Sequence, residues 1–72
     1  MKLSARSQLK GNLVDIVKGA TTSHVKIDLG QGNIATASIT NEAVDELALK
    51  VGTPAYAVIK ASDVMVGVDL TA

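Results

Sequence analysis

The sequence predicts an all-β protein with one short helix, arranged as a small five-stranded barrel. Three observations predict it. Three consecutive segments rich in β-branched residues are separated by glycine-bearing turns; the apolar period then switches to a helical one at Asn41; and two further strand-like segments come after the helix.

The strands are predicted over Lys10 to Val17, Thr22 to Leu29 and Asn33 to Thr40. The second alternates most cleanly, with Val25, Ile27 and Leu29 on one face and His24, Lys26 and Asp28 on the other, as a half-buried strand should. The third sets Ala35, Ala37 and Ile39 against Thr36, Ser38 and Thr40, so its inward face is made of small residues. Between them, Gly30-Gln31-Gly32-Asn33 suits a tight hairpin, whose central residues need positive φ. The run from Gly30 to Ala35 also matches a dinucleotide-binding fingerprint, but the residues after it alternate like a strand where that motif needs a helix.

From Asn41, the residues Val44, Leu47, Ala48 and Val51 fall on one helical face, with Thr40 or Asn41 as N-cap and Glu42 and Asp45 placed in the first turn. Gly52-Thr53-Pro54 forces a turn. Strands over Ala55 to Lys60 and Asp63 to Val68 come next, then a short tail from Leu70 to Ala72. Three strands, a helix and two strands are the plan of a five-stranded OB-like barrel, whose helix plugs one end. The expectation is a single domain over residues 1–72.

Composition narrows the functions. A chain of 72 residues is near the lower limit for a self-sufficient core, and it has no cysteine for disulfides or thiolate metal sites. Its apolar residues are mostly aliphatic, with Tyr56 as the single aromatic, which points to a homo-oligomer that buries between subunits what one subunit cannot. Seven basic and seven acidic residues leave no net charge, which argues against a nucleic-acid partner held by many phosphate contacts. No segment reads as a signal peptide or approaches the roughly 18 apolar residues of a membrane span, so a cytoplasmic protein without a membrane partner is expected.

Any anion site must therefore be local, and three stretches offer groups for one. Ser4-Ala5-Arg6-Ser7 supplies a guanidinium and hydroxyls; Thr40-Asn41 opens the helix, with amides at Glu42 and Ala43; Lys60-Ala61-Ser62 ends a strand. A forked guanidinium, an ammonium and aligned N–H groups suit a tetrahedral dianion. The same residues also fit a solvated surface, with Thr40 as a simple cap, and Glu42 and Asp45 oppose an anion at the helix start.

The runs Ser4-Ala5-Arg6, Gln8-Leu9-Lys10-Gly11, Lys18-Gly19-Ala20, Ile39-Thr40-Asn41-Glu42-Ala43-Val44, Leu49-Lys50-Val51-Gly52 and Ala57 to Met65 together resemble the molbindins. These are the small molybdenum-pterin-binding (Mop) proteins, whose unit recurs in molybdate-dependent regulators and transporter ATPases. The resemblance spans nearly the whole chain. It implies an OB-like barrel strand-exchanged between subunits, assembled as a trimer of dimers, that holds molybdate or tungstate at subunit interfaces for storage and homeostasis. Molybdenum would be bound only as the oxyanion, with no other metal and no organic cofactor.

Carried onto this chain, the resemblance implies that Ser4, Ala5 and Arg6 of one subunit meet Thr40, Ala43, Lys60 and Ala61 of another, with Ser62 as a weaker candidate. A second anion site is implied around Lys18, Gly19 and Ala20. The chain departs from the family where Ser7 stands for Asn, Ala43 for Ser and Ala48 for Gly. Ala43 can offer only its backbone N–H, and Ala48 replaces a helix-ending glycine.

No catalytic constellation accompanies these residues, so an enzyme is not expected. His24 is alone on a polar strand face, Met65 reads as core filler, and Asp15, Asp28, Asp63 and Asp69 are scattered. Two other functions fit the fold: an OB-type nucleic-acid module, opposed by the lack of aromatic residues for base stacking, and a sensory domain attached to another. Met1 directly before the motif leads us to expect a free-standing protein.

Overall fold

In a computed structural model, which describes residues 7–70, the strands are β1 (Ser7–Lys18), β2 (Thr22–Gly30), β3 (Asn33–Thr40) and β4 (Pro54–Ile59). They form one antiparallel sheet in the order β3-β2-β1-β4. A helix, α1 (Asn41–Glu46), links β3 to β4, and a 3-10 turn covers Ala61–Asp63.

The long strand β1 gives the sheet its shape. Its first half, Ser7 to Asn12, pairs with β4, and its second half, Asn12 to Lys18, pairs with β2. Within the second half Val14 is an extra residue opposite the step from Ile27 to Lys26, a bulge that bends and twists the strand. Gly11 sits just before it, where β1 passes from β4 to β2, and a Cβ there would lie 2.3 Å from the carbonyl oxygen of Asp28. The result is a four-stranded sheet curled into a half-barrel.

Its concave side carries the core. Leu13, Val25 and Ile27 are buried with Val44 of α1, and Ile16, Leu29, Ala35, Ile39, Leu49, Ala55 and Ala57 pack around them. The alternation predicted for β2 and β3 thus sorts residues as expected, and His24 is exposed. The fingerprint-like run from Gly30 to Ala35 is the β2–β3 hairpin and the start of β3, with positive φ at Gly30, Gln31 and Gly32, and Asp28 Oδ1 accepting from the Gly30 N–H at 2.8 Å.

The helix is shorter than its periodicity predicts. It ends at Glu46 because Ala48 takes φ 51°, which reverses the chain and lets the Leu49 N–H donate to Val44 O. Leu47 and Val51 are therefore exposed, and Leu49 packs on the core in their place. Asp45 consequently lies in the last turn and only Glu42 is an acid of the first. An L-residue in this conformation is strained by about 1 kcal/mol, which glycine avoids. Ala48→Gly is expected to raise stability by about 0.5–1 kcal/mol; an unchanged or lower midpoint in thermal melts at fixed protein concentration would contradict this.

The end of the chain differs most from expectation. Residues 61–63 form the 3-10 turn, and Val64 to Val68, expected to be part of a fifth strand, have no strand partner among the described residues. Met65 is 93% exposed instead of filling the core, and Val66 and Val68 are exposed with it. A strand needs a neighbour for its N–H and C=O groups, and within one chain this segment does not lie against either sheet edge.

Candidate functional site

Ser4, Ala5 and Arg6 lie outside the described residues. The other sequence candidates fall at three places on the half-barrel: the start of α1, the β1–β2 turn and the 3-10 turn after β4.

At the start of α1, Thr40 is the N-cap. Its Oγ1 accepts from the Ala43 N–H at 3.1 Å, so two of the candidate groups are engaged with each other. The Thr40 hydroxyl still has its own hydrogen to donate. Thr40, Asn41 and Glu42 line a cleft together with Ala20 and Thr21 of the β1–β2 turn. One member of the second candidate site, Ala20, thus shares a cleft with Thr40 of the first, a grouping that spacing alone does not indicate.

In the β1–β2 turn, Lys18 Nζ pairs with Asp45 Oδ1 of α1 at 2.9 Å, and the Gly19 N–H donates to Thr22 O at 2.7 Å. An anion in this turn would share the Lys18 ammonium, which has three donors, with Asp45. The pair is half-exposed or more on both sides and holds weakly, at about 0–1 kcal/mol. The acid at Glu42 lowers the attraction of the cleft for an anion, as expected from the sequence.

Lys60 precedes the 3-10 turn, with its carbonyl accepting from the Asp63 N–H at 2.9 Å and its side chain exposed. Ala61 and Ser62 come next, both exposed, and open the turn with N–H groups that a helical start leaves unpaired. Lys60 lines a different concavity, the apolar groove walled by Leu13, Val25, Ile27 and Ile39, and Asp63 lines it too. Within one chain, then, Thr40 and Lys60 line separate depressions.

Two residues whose roles are not evident from the sequence join these parts. Ser23 is fully buried and its hydroxyl donates to Asn41 Oδ1. Asn41 in turn donates from Nδ2 to Gly19 O at 3.0 Å, and its backbone N–H donates to Thr21 O at 3.0 Å. The sequence carries one signal for this pair: Ser23 has the same parity as Val25, Ile27 and Leu29, so it is a polar residue on the inward face.

A curled antiparallel sheet with a short capping helix and polar groups at its ends defines a small ligand-binding module. The TOBE domain matches residues 3–66. The chain is 52% identical over 69 residues to a probable molybdenum-pterin-binding protein of Haemophilus influenzae, covering 96% of this chain and all of that one. Among solved structures it superposes on MopII of Clostridium pasteurianum in an apo form, with a TM-score of 0.86 and 40% identity over 93% of this chain and all of that one. It also superposes on the cytoplasmic molybdate-binding protein ModG with molybdate bound, with a TM-score of 0.89 and 46% identity over 96% of this chain and 49% of ModG. The chain belongs to the molybdenum-pterin-binding, or molbindin, family of TOBE domains.

Proposed function

We propose that this protein binds molybdate, and also tungstate, as a single domain over residues 1–72, holding the oxyanion between subunits as an intracellular store and buffer. The observation that carries this is the near-complete superposition on a molybdate-bound relative, ModG, at 46% identity. The same kinship supports a binding role without catalysis, and the description of ModG as cytoplasmic supports a cytoplasmic location. No described helix is long and apolar enough to cross a membrane.

In this reading, Ser4, Ala5 and Arg6 of one subunit approach Thr40, Ala43, Lys60, Ala61 and Ser62 of another, with Lys18, Gly19 and Ala20 as a second site. The separation of Thr40 and Lys60 into two depressions of one chain supports a site built between chains, where an entering segment can span both. Strand exchange that completes a five-stranded barrel is supported by two features of the single chain, the exposed run Val64, Met65, Val66 and Val68 and an open apolar groove. Burying each such side chain contributes about 1.5–3 kcal/mol, a strong drive toward a dimer and toward a trimer of dimers.

Equilibrium dialysis against molybdate, tungstate, sulfate and phosphate tests the ligand, and native mass spectrometry reports subunit number and bound anions together. Tight binding of the first two, with more than one anion per dimer, is the expected result. Absence of binding, or equal competition by sulfate, would refute it.

A further inference from the structure

Asn41 forms no part of the ligand set proposed for molybdate, yet it is the best-connected polar side chain among the described residues. Its Oδ1 accepts from the buried Ser23 hydroxyl, its Nδ2 donates to Gly19 O, and its N–H donates to Thr21 O. The chain of bonds continues into the turn, where the Gly19 N–H donates to Thr22 O. One side chain therefore fastens the residue after Thr40 both to the interior of β2 and to the backbone of the β1–β2 turn.

We propose that Asn41 is a positioning residue for oxyanion selection, held by Ser23, which sets the spacing between Thr40 and Ala20–Thr21 across their shared cleft. The inference rests on the reading that the protein binds molybdate near these residues. Its physical ground is rigidity. Ser23 is 0% exposed, so its hydroxyl has no water to turn to and its bond to Asn41 is maintained. Asn41 is then oriented with its amide donor toward Gly19 O, and the turn cannot slide relative to Thr40 without breaking this bond and the one from the Asn41 backbone N–H to Thr21 O. Molybdate and sulfate carry the same charge and differ in size, so a fixed spacing discriminates between them where net charge does not.

The test compares molybdate and sulfate affinities, by calorimetry on the native oligomer, for wild type, Asn41→Ala, Ser23→Ala and the double variant. Asn41→Ala is expected to lower molybdate affinity about tenfold, the size of one or two lost neutral hydrogen bonds, with less than a threefold change for sulfate. Ser23→Ala shifts the same ratio in the same direction, and adding it to Asn41→Ala produces no further loss. It also stands alone as the test if Asn41→Ala fails to fold. Unchanged molybdate affinity in either variant, parallel losses for both anions, or additive effects of the two substitutions overturn the assignment. If wild type itself binds no molybdate, the proposed function falls, a result distinct from a wild type that binds and an Asn41→Ala variant that binds equally well.

Discussion

Arg6→Ala combined with Lys60→Ala is expected to lower molybdate affinity by roughly two to four orders of magnitude while leaving the protein folded. Each cation removes a charge-assisted hydrogen bond of about 1.5–3 kcal/mol, and each factor of ten in affinity is about 1.4 kcal/mol. Lys60 is exposed and makes no ion pair among the described residues, so its removal leaves no buried charge behind. The expectation for Arg6 comes from the family resemblance. Equilibrium dialysis of the double variant, beside a thermal melt without anion, checks the prediction. Undiminished binding would remove both residues from the site. The wild-type affinity should also fall with added salt, because the proposed site would present two cations to a dianion.

The second large effect is structural. Gly11→Ala is expected to destabilise the protein by about 3 kcal/mol, a shift of roughly 15 °C in melting temperature for a domain of this size. The added Cβ would meet Asp28 O at 2.3 Å and Ile27 Cγ2 at 2.8 Å. Ile27 is a buried core residue, and Asp28 pairs through the β1–β2 ladder with Asn12, the residue beside Gly11. Neither can retreat without opening the core or the ladder at the point where β1 turns from β4 to β2. Melts at fixed subunit concentration are needed, since the proposed assembly would add concentration-dependent stability. A change below about 1 kcal/mol would show that the bend is more pliable than its geometry implies.

Much of the fold was legible because it rests on local chemistry. The two-residue alternation in Val25, Ile27 and Leu29 reports which face is buried whatever the partner strand is. Gly30, Gln31 and Gly32 encode a hairpin, and Thr40 is a good cap wherever its helix lies. The helix end was not legible, because Leu47 and Val51 continue a helical period that the strained Ala48 interrupts. The expected fifth strand over Asp63 to Val68 has the right composition, but a strand exists only where another strand receives it.

The candidate site divides the same way. By itself the sequence determined the supply of chemistry: a neutral chain with Lys18 and Lys60 at strand ends, a hydroxyl at the helix start and strand segments of defined polarity. Only the tertiary structure decided how these meet. It sends Lys18 to Asp45, 27 residues away, and Asn41 to Gly19, 22 residues away. It also places Thr40 beside Ala20 and Thr21, and Lys60 in a separate groove. The reason is register: a slip of one residue between strands turns every side chain to the opposite face. Here the register is set by the Val14 bulge and the close approach at Gly11, whose meaning appears only when β2 lies against β1.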